Sequence, residues 1–259
     1  MESSLLRQNR RHRGYRLLLL NCLLVLMCLM LPRGLRQLSS AGYLAMPLVL
    51  FTSLGGSLSG LRWSLLRTRL YQLITLVTFA ASLVWYFNSA AAGQAGLPLL
   101  FLWTAFVAWS CQRLIANLAK ERTINRDVLT GALAGYLLLG LAAGLLFSVL
   151  ETVAPGSFAS THSAQDSVLQ WHGTVPPPTA KVWSIDFVQL NYFAFITLTT
   201  TGYGDIHPVT PQSQMVSVMV AITGTVYLAL VMGLLISRYT VQDVEEEINE
   251  SLVDSEDQG

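Results

Sequence analysis

Acidic side chains are almost missing from the first 120 residues, where Glu2 stands alone. Of the 259 residues only 12% are charged, against about 25% in an ordinary soluble domain. So small a supply of solvated groups excludes a conventional water-soluble globule. Cysteine is scarce as well. Cys22, Cys28 and Cys111 all lie in apolar runs and are read as free buried thiols, since no CxxC or Cys/His ligand spacing exists. A nucleophile–base set, a metal-ligand cluster and a phosphate-binding loop are all lacking, so no enzyme, resident cofactor or nucleic-acid partner is expected.

What the chain has is apolar length: 53% of its residues are hydrophobic. Crossing about 30 Å of hydrocarbon takes about 20 mostly apolar residues, and the sequence offers a series of runs near that length. They are Tyr15–Leu31, Gly42–Leu58, Leu70–Phe87, Leu97–Leu118, Val128–Val153 and Gln212–Tyr239. The first lacks a small-residue cleavage site and is followed by more spans, so it reads as a retained helix and not a secretory signal. The second contains Pro47 and Gly55-Gly56 and is expected to be kinked. The fifth is rich in Leu, Ala and Gly, which suits close helix contact. Ser184–Leu198 is too short to cross fully. The domain plan is a basic N-terminus (1–14), a four-helix membrane domain (15–118), a linker (119–127), a module at 128–240 with a long polar outer loop (154–182), and an acidic tail (241–259).

Charge sets the orientation. With the N-terminus inside, thirteen Lys and Arg residues fall on inner segments and only Arg33, Arg36 and Lys181 on outer ones. Both termini are then cytoplasmic, and the loop at 154–182 is outside. The tail holds eight acids from Asp243 to Asp257 and no base, and reads as a solvated end or as a means of raising cation concentration nearby.

The last two apolar segments enclose Thr199-Thr200-Thr201-Gly202-Tyr203-Gly204-Asp205. Non-helical backbone within a bilayer is tolerated only where it is buried in protein or lines a watery path. Alternating glycines reach backbone angles closed to other residues, so successive carbonyls can turn the same way. A row of such oxygens replaces the water around a desolvated cation. These residues resemble the potassium-channel signature, Thr-x-Gly-Tyr-Gly followed by Asp. The resemblance extends over 128–240: outer helix, short re-entrant helix, signature, final helix.

The resemblance implies that Thr200, Thr201, Gly202 and Tyr203 offer carbonyls to potassium, with the Thr200 hydroxyl innermost and Gly204 closing the filter outside. Thr199, Asp205 and Tyr192 would support it. One chain cannot encircle an ion with one such strand, and no second signature occurs, so a homotetramer is implied. Thr201 stands where Val or Ile is usual; its hydroxyl takes an extra hydrogen bond, or the near-isostere leaves the backbone unchanged. Ile196 stands where some members carry a Glu. Asp205 either accepts from Tyr192 or is solvated at the mouth.

Gly224 lies where the family often has an inner-helix glycine, and is read either as a hinge or as a site of close packing. Thr225, Leu228, Met232 and Ile236 follow at helical spacing. They are assigned to the cavity and inner gate, the other reading being packing on the outer helix. Four spans before such a module resemble the voltage-gated plan, yet Leu97–Leu118 carries only Arg113 where a sensor needs a ladder of charges. A scaffold or lipid-facing collar is expected instead. Leu114, Leu118 and the charged run after them predict an interfacial helix in the linker. His162 and His172 in the outer loop are read as solvated, or as proton- or metal-sensing.

The expected fold is an all-α membrane protein of six transmembrane helices plus a re-entrant pore helix and selectivity filter. Its expected function is passive potassium conduction, with potassium as permeant ion and lipid as surroundings, in a plasma or cell inner membrane. Two other readings stay open: a weakly selective cation channel, and a non-conducting or regulatory subunit.

Overall fold

The computed structural model describes residues 2–30, 46–52, 62–87, 96–119, 121, 125–161, 187–242 and 244, with backbone only at 2–13, 62–67, 85–87 and 96–97. Arg33, Arg36, Lys181, His162, His172, most of the outer loop and the tail from 245 lie outside these residues. The described chain is helical nearly throughout. Helix α1 is Glu2–Leu29, α2 covers 46–52, α3 is Arg62–Phe87, α4 is Gly96–Leu118 and α5 is Arg126–Val153. Strand β1 is Phe158–Ser160, α6 is Phe187–Leu198, β2 is Ile206–Pro208 and α7 is Pro211–Val226. A π-helical turn, Tyr227–Met232, continues α7, and helix resumes to Gln242.

Each end of the module's helices has a local cause. Asn125 caps α5, accepting from the Val128 amide at 3.1 Å, and Asp127 in the first turn suits the helix dipole. Thr210 caps α7 by accepting from the Ser213 amide, with Pro211 at the position where a missing N–H costs nothing.

Helix α5 is the element on which the others are built. One face joins α1, α2, α3 and α4 in a core that includes Leu18, Val25, Leu50, Phe106, Leu114 and Leu138. Its other face, through Ala143 and Phe147, packs on Phe158 of β1 and on Phe193 and Ala194 of α6. Phe147, Phe158 and Phe193 form a triangle with ring centroids 5.1–5.3 Å apart. The first four helices thus sit behind α5, on the side away from the signature. Tyr15 donates to Glu121 at 3.3 Å, tying α1 to the segment between α4 and α5, and Arg16 pairs with Asp127 in the first turn of α5.

The basic N-terminal residues are continuous with α1, which is helical from Glu2. One expectation changes. The predicted interfacial linker helix does not form around Leu114 and Leu118. Both are buried on α4 against the shared core, and α4 ends at Leu118. Among the described residues, three helices are long and apolar enough to cross a bilayer, Pro98–Leu118, Arg126–Val153 and Pro211–Gln242, and Gly14–Leu29 and Thr68–Val84 are shorter apolar helical stretches.

Candidate functional site: the signature strand and its supports

Helix α6 has 12 residues, about 18 Å of rise, which is too short to cross about 30 Å of hydrocarbon. It reaches close to α5 because α5 presents no side chain there. A Cβ on Gly140 would lie 2.4 Å from the Phe195 ring, and one on Gly144 would lie 2.3 Å from Asn191 Oδ1.

A helix leaves its last four carbonyls without intrahelical donors. At the end of α6 all four are satisfied, three of them by the signature itself. Phe195 O accepts from Thr199 N at 2.9 Å and Thr199 Oγ1 at 2.8 Å. Ile196 O accepts from Thr201 N at 2.8 Å and Gly202 N at 3.1 Å, and Thr197 O from Thr200 N at 3.0 Å. The fourth, Leu198 O, receives the Tyr136 hydroxyl of α5 at 3.4 Å. The signature strand is therefore also the C-terminal cap of α6.

Along that strand every second residue is left-handed: Thr200 at φ 58°, Gly202 at 52° and Gly204 at 80°. Thr200 is the only non-glycine with positive φ among the described residues. A β-branched residue is strained there and persists where neighbours over-determine it; here the amides on both sides are pinned to α6. Alternating handedness is the backbone pattern that turns successive carbonyls to one side. In a single chain, 199–204 are all exposed, Tyr203 at 72%. The Thr201 hydroxyl lies 2.9 Å from that of Thr199.

The strand leaves through Asp205. Its carboxylate accepts from the Ile206 amide at 3.0 Å and from the Tyr192 phenol, so the structure brings Tyr192 and Asp205 together. Its carbonyl accepts both Thr161 N at 2.9 Å and Thr161 Oγ1 at 3.2 Å. From there β2 runs antiparallel to β1, Ser160 opposite Ile206 and Phe158 opposite Pro208. Val209 N and Ser213 Oγ both donate to Ser157 O at 2.8 Å. Two short strands thus clamp the exit of the signature to the top of α5.

Sequence reasoning missed the anchor of this clamp. Glu151 is fully buried at the end of α5, and its two oxygens accept from Gly156 N at 2.9 Å and Phe158 N at 3.0 Å. A lone acid closing an apolar helix was the available signal, since a buried carboxylate must be hydrogen-bonded. Replacing Glu151 with alanine orphans two backbone donors and is expected to cost about 2–4 kcal/mol. Thermal unfolding of the purified protein checks this, with Glu151→Gln, which keeps one acceptor, falling between.

Beneath the end of α6, Gly224 is buried against that helix. A Cβ there would meet Leu198 O at 2.1 Å, so the structure places Gly224 at a close approach of two helices. Thr225, Leu228 and Ile236 are exposed in the single chain, whereas Met232 is half-buried against the main core. The π turn, Tyr227–Met232, falls within this stretch and holds more residues than an α turn. Tyr227, within that turn, donates to Ala132 O of α5 at 2.6 Å, and its ring lies 5.7 Å from that of Tyr136.

In α4, Arg113 lies over the Tyr71 ring at 4.6 Å and donates to Thr68 Oγ1 at 3.4 Å. It is the only charged residue of that helix.

Residues 156–241, about a third of the chain, match a family model described as ion channel. The matched segment begins at the α5–β1 turn and takes in β1, α6, the signature, the clamp, α7 and the π turn. No curated protein matches the chain. Together with the apolar helices, the match identifies a membrane protein carrying an ion-channel segment, and it points to a channel rather than an enzyme.

Proposed function

We propose that the chain is a subunit of a potassium-selective channel, four copies of which surround one ion path. The observation that supports this most is the left-handed alternation at Thr200, Gly202 and Gly204, in a strand that caps α6 inside the ion-channel segment. In this reading the carbonyls of Thr200, Thr201, Gly202 and Tyr203 form successive rings that replace the ion's hydration shell. The Thr200 hydroxyl forms the innermost ring and Gly204 ends the row. Asp205 and Tyr192 brace the mouth, and Thr199 ties the base of the strand to α6. The carbonyl end of α6, with its partial negative charge, favours a cation just inside the rings.

The tetramer accounts for surface that one chain leaves bare. Of the most apolar window in α5, 67% is buried within the chain; in the helix Pro211–Gln242 only 17% is. Neighbouring copies would cover part of that helix and of the signature. Thr225, Leu228 and Ile236 would then border the cavity below the rings. Both termini are cytoplasmic in this reading. With one arginine in α4, a ladder-type voltage sensor is not part of it, since each charge moved supplies only about 2.3 kcal/mol per 100 mV. Helices α1–α4 serve as a scaffold behind α5.

Purified protein in a planar bilayer tests the reading. Under bi-ionic conditions, potassium against sodium, the reversal potential is expected to lie far from zero, on the potassium side. A value near zero would make the protein a weakly selective cation channel, and no current under any stimulus would make it a silent subunit.

A further inference from the structure

The hydroxyl at position 201 has a defined donor role. Thr199 Oγ1 lies 2.8 Å from Phe195 O and 2.9 Å from Thr201 Oγ1. A threonine hydroxyl has one proton. That of Thr199 is committed to the carbonyl, so the proton between the two hydroxyls belongs to Thr201. Thr201 is therefore fastened twice, by its amide to Ile196 O at 2.8 Å and by its side chain to Thr199. It sits between the left-handed residues Thr200 and Gly202, the part of the strand with most strain to release. The side chain of Ile196 is apolar, so that residue contributes only its carbonyl.

We propose that Thr201 is a positioning residue for ion passage: its hydroxyl, donated to Thr199, holds the back of the signature strand against α6 and sets how long the strand keeps its ion-binding shape. This rests on the potassium-channel reading. Because the hydroxyl is engaged on the α6 side, it does not compete with the carbonyls for the ion. Its loss leaves the rings intact but less firmly held. When ions are withdrawn, the strand then relaxes sooner into a shape that neither binds nor conducts.

Thr201→Val removes the hydroxyl at nearly constant shape, and Thr201→Ser keeps it. Two measurements on the full-length protein read the effect. The first is the rate at which current declines after external potassium is lowered. The second is the potassium concentration that half-protects the detergent-solubilised assembly from heat. One hydrogen bond corresponds to a change of about three- to tenfold, so Thr201→Val is expected to speed the decline and raise the half-protecting concentration by that much. Thr201→Ser should stay close to the parent protein. If the parent conducts and is protected by potassium while Thr201→Val matches it in both, the inference is overturned alone. If the parent shows neither current nor potassium protection, the channel reading falls, and the inference with it.

Discussion

Alanine in place of Gly202 is expected to abolish potassium selectivity while leaving the subunit folded. Gly202 has φ 52°, and an added Cβ would meet nothing within 4 Å in the single chain. The penalty is therefore conformational, about 1–2 kcal/mol for an L-residue in the left-handed region. The cheapest relief is rotation of the adjoining peptide, which takes one carbonyl out of the row. In a tetramer this happens four times around one ion, and about 1.4 kcal/mol is already tenfold in an equilibrium. The bi-ionic reversal potential should collapse toward zero, or current should vanish. The thermal transition of the detergent-solubilised subunit should shift little, because residue 202 carries no packing. Parent-like selectivity in Gly202→Ala would mean that the left-handed alternation is not what arranges the oxygens.

The second large effect concerns Gly224, where two forces oppose each other. Alanine is about 1 kcal/mol better than glycine inside a helix, so local propensity predicts stabilisation. Packing predicts the reverse, because the new Cβ would fall 2.1 Å from Leu198 O, a backbone atom at the end of α6. Neither helix can yield by turning a side chain. Overpacking typically costs about 1–3 kcal/mol, and a clash with backbone belongs at or beyond the upper end. Sterics win, and α7 must move away from the base of the signature strand. Gly224→Ala is expected to lower the midpoint of thermal dissociation and the yield of assembled protein, and Gly224→Leu to prevent assembly. Increased stability in Gly224→Ala would show that α6 and α7 are not in close contact there.

The signature was legible because its composition is out of place. Three threonines, two glycines and an aspartate stand between apolar segments, and lipid does not tolerate loose backbone. Helix α5 was legible for a related reason, since its small residues announced close neighbours before those neighbours were known. The clamp was not. Phe158-Ala159-Ser160 is too short to show a period and opens a stretch that reads as polar loop. Only its pairing with residues beyond the signature makes it a strand. Glu151 was overlooked because an acid at a helix end normally faces water, and nothing local says that the chain folds back over it. An interfacial role for Leu114 and Leu118 rests on a mistaken face, since both continue the buried side of α4. The π turn was not legible, because helical spacing assumes 3.6 residues per turn and no residue between Tyr227 and Met232 advertises a wider one.

That wider turn carries a geometric consequence of its own. The Gly233 amide reaches back five residues to Leu228 O, so the turn stores one residue of slack. Winding it up to ordinary α geometry would feed that residue into the stem below and spin Gly233–Gln242 by about 100°. Leu235, now buried in the main core, would swing out of it, and a different flank of the stem would take its seat. The upper half, pinned by Tyr227 to Ala132 and by Gly224 to Leu198, need not move. A single backbone rearrangement thus separates two orientations of the lower stem while the strand above it stays fixed.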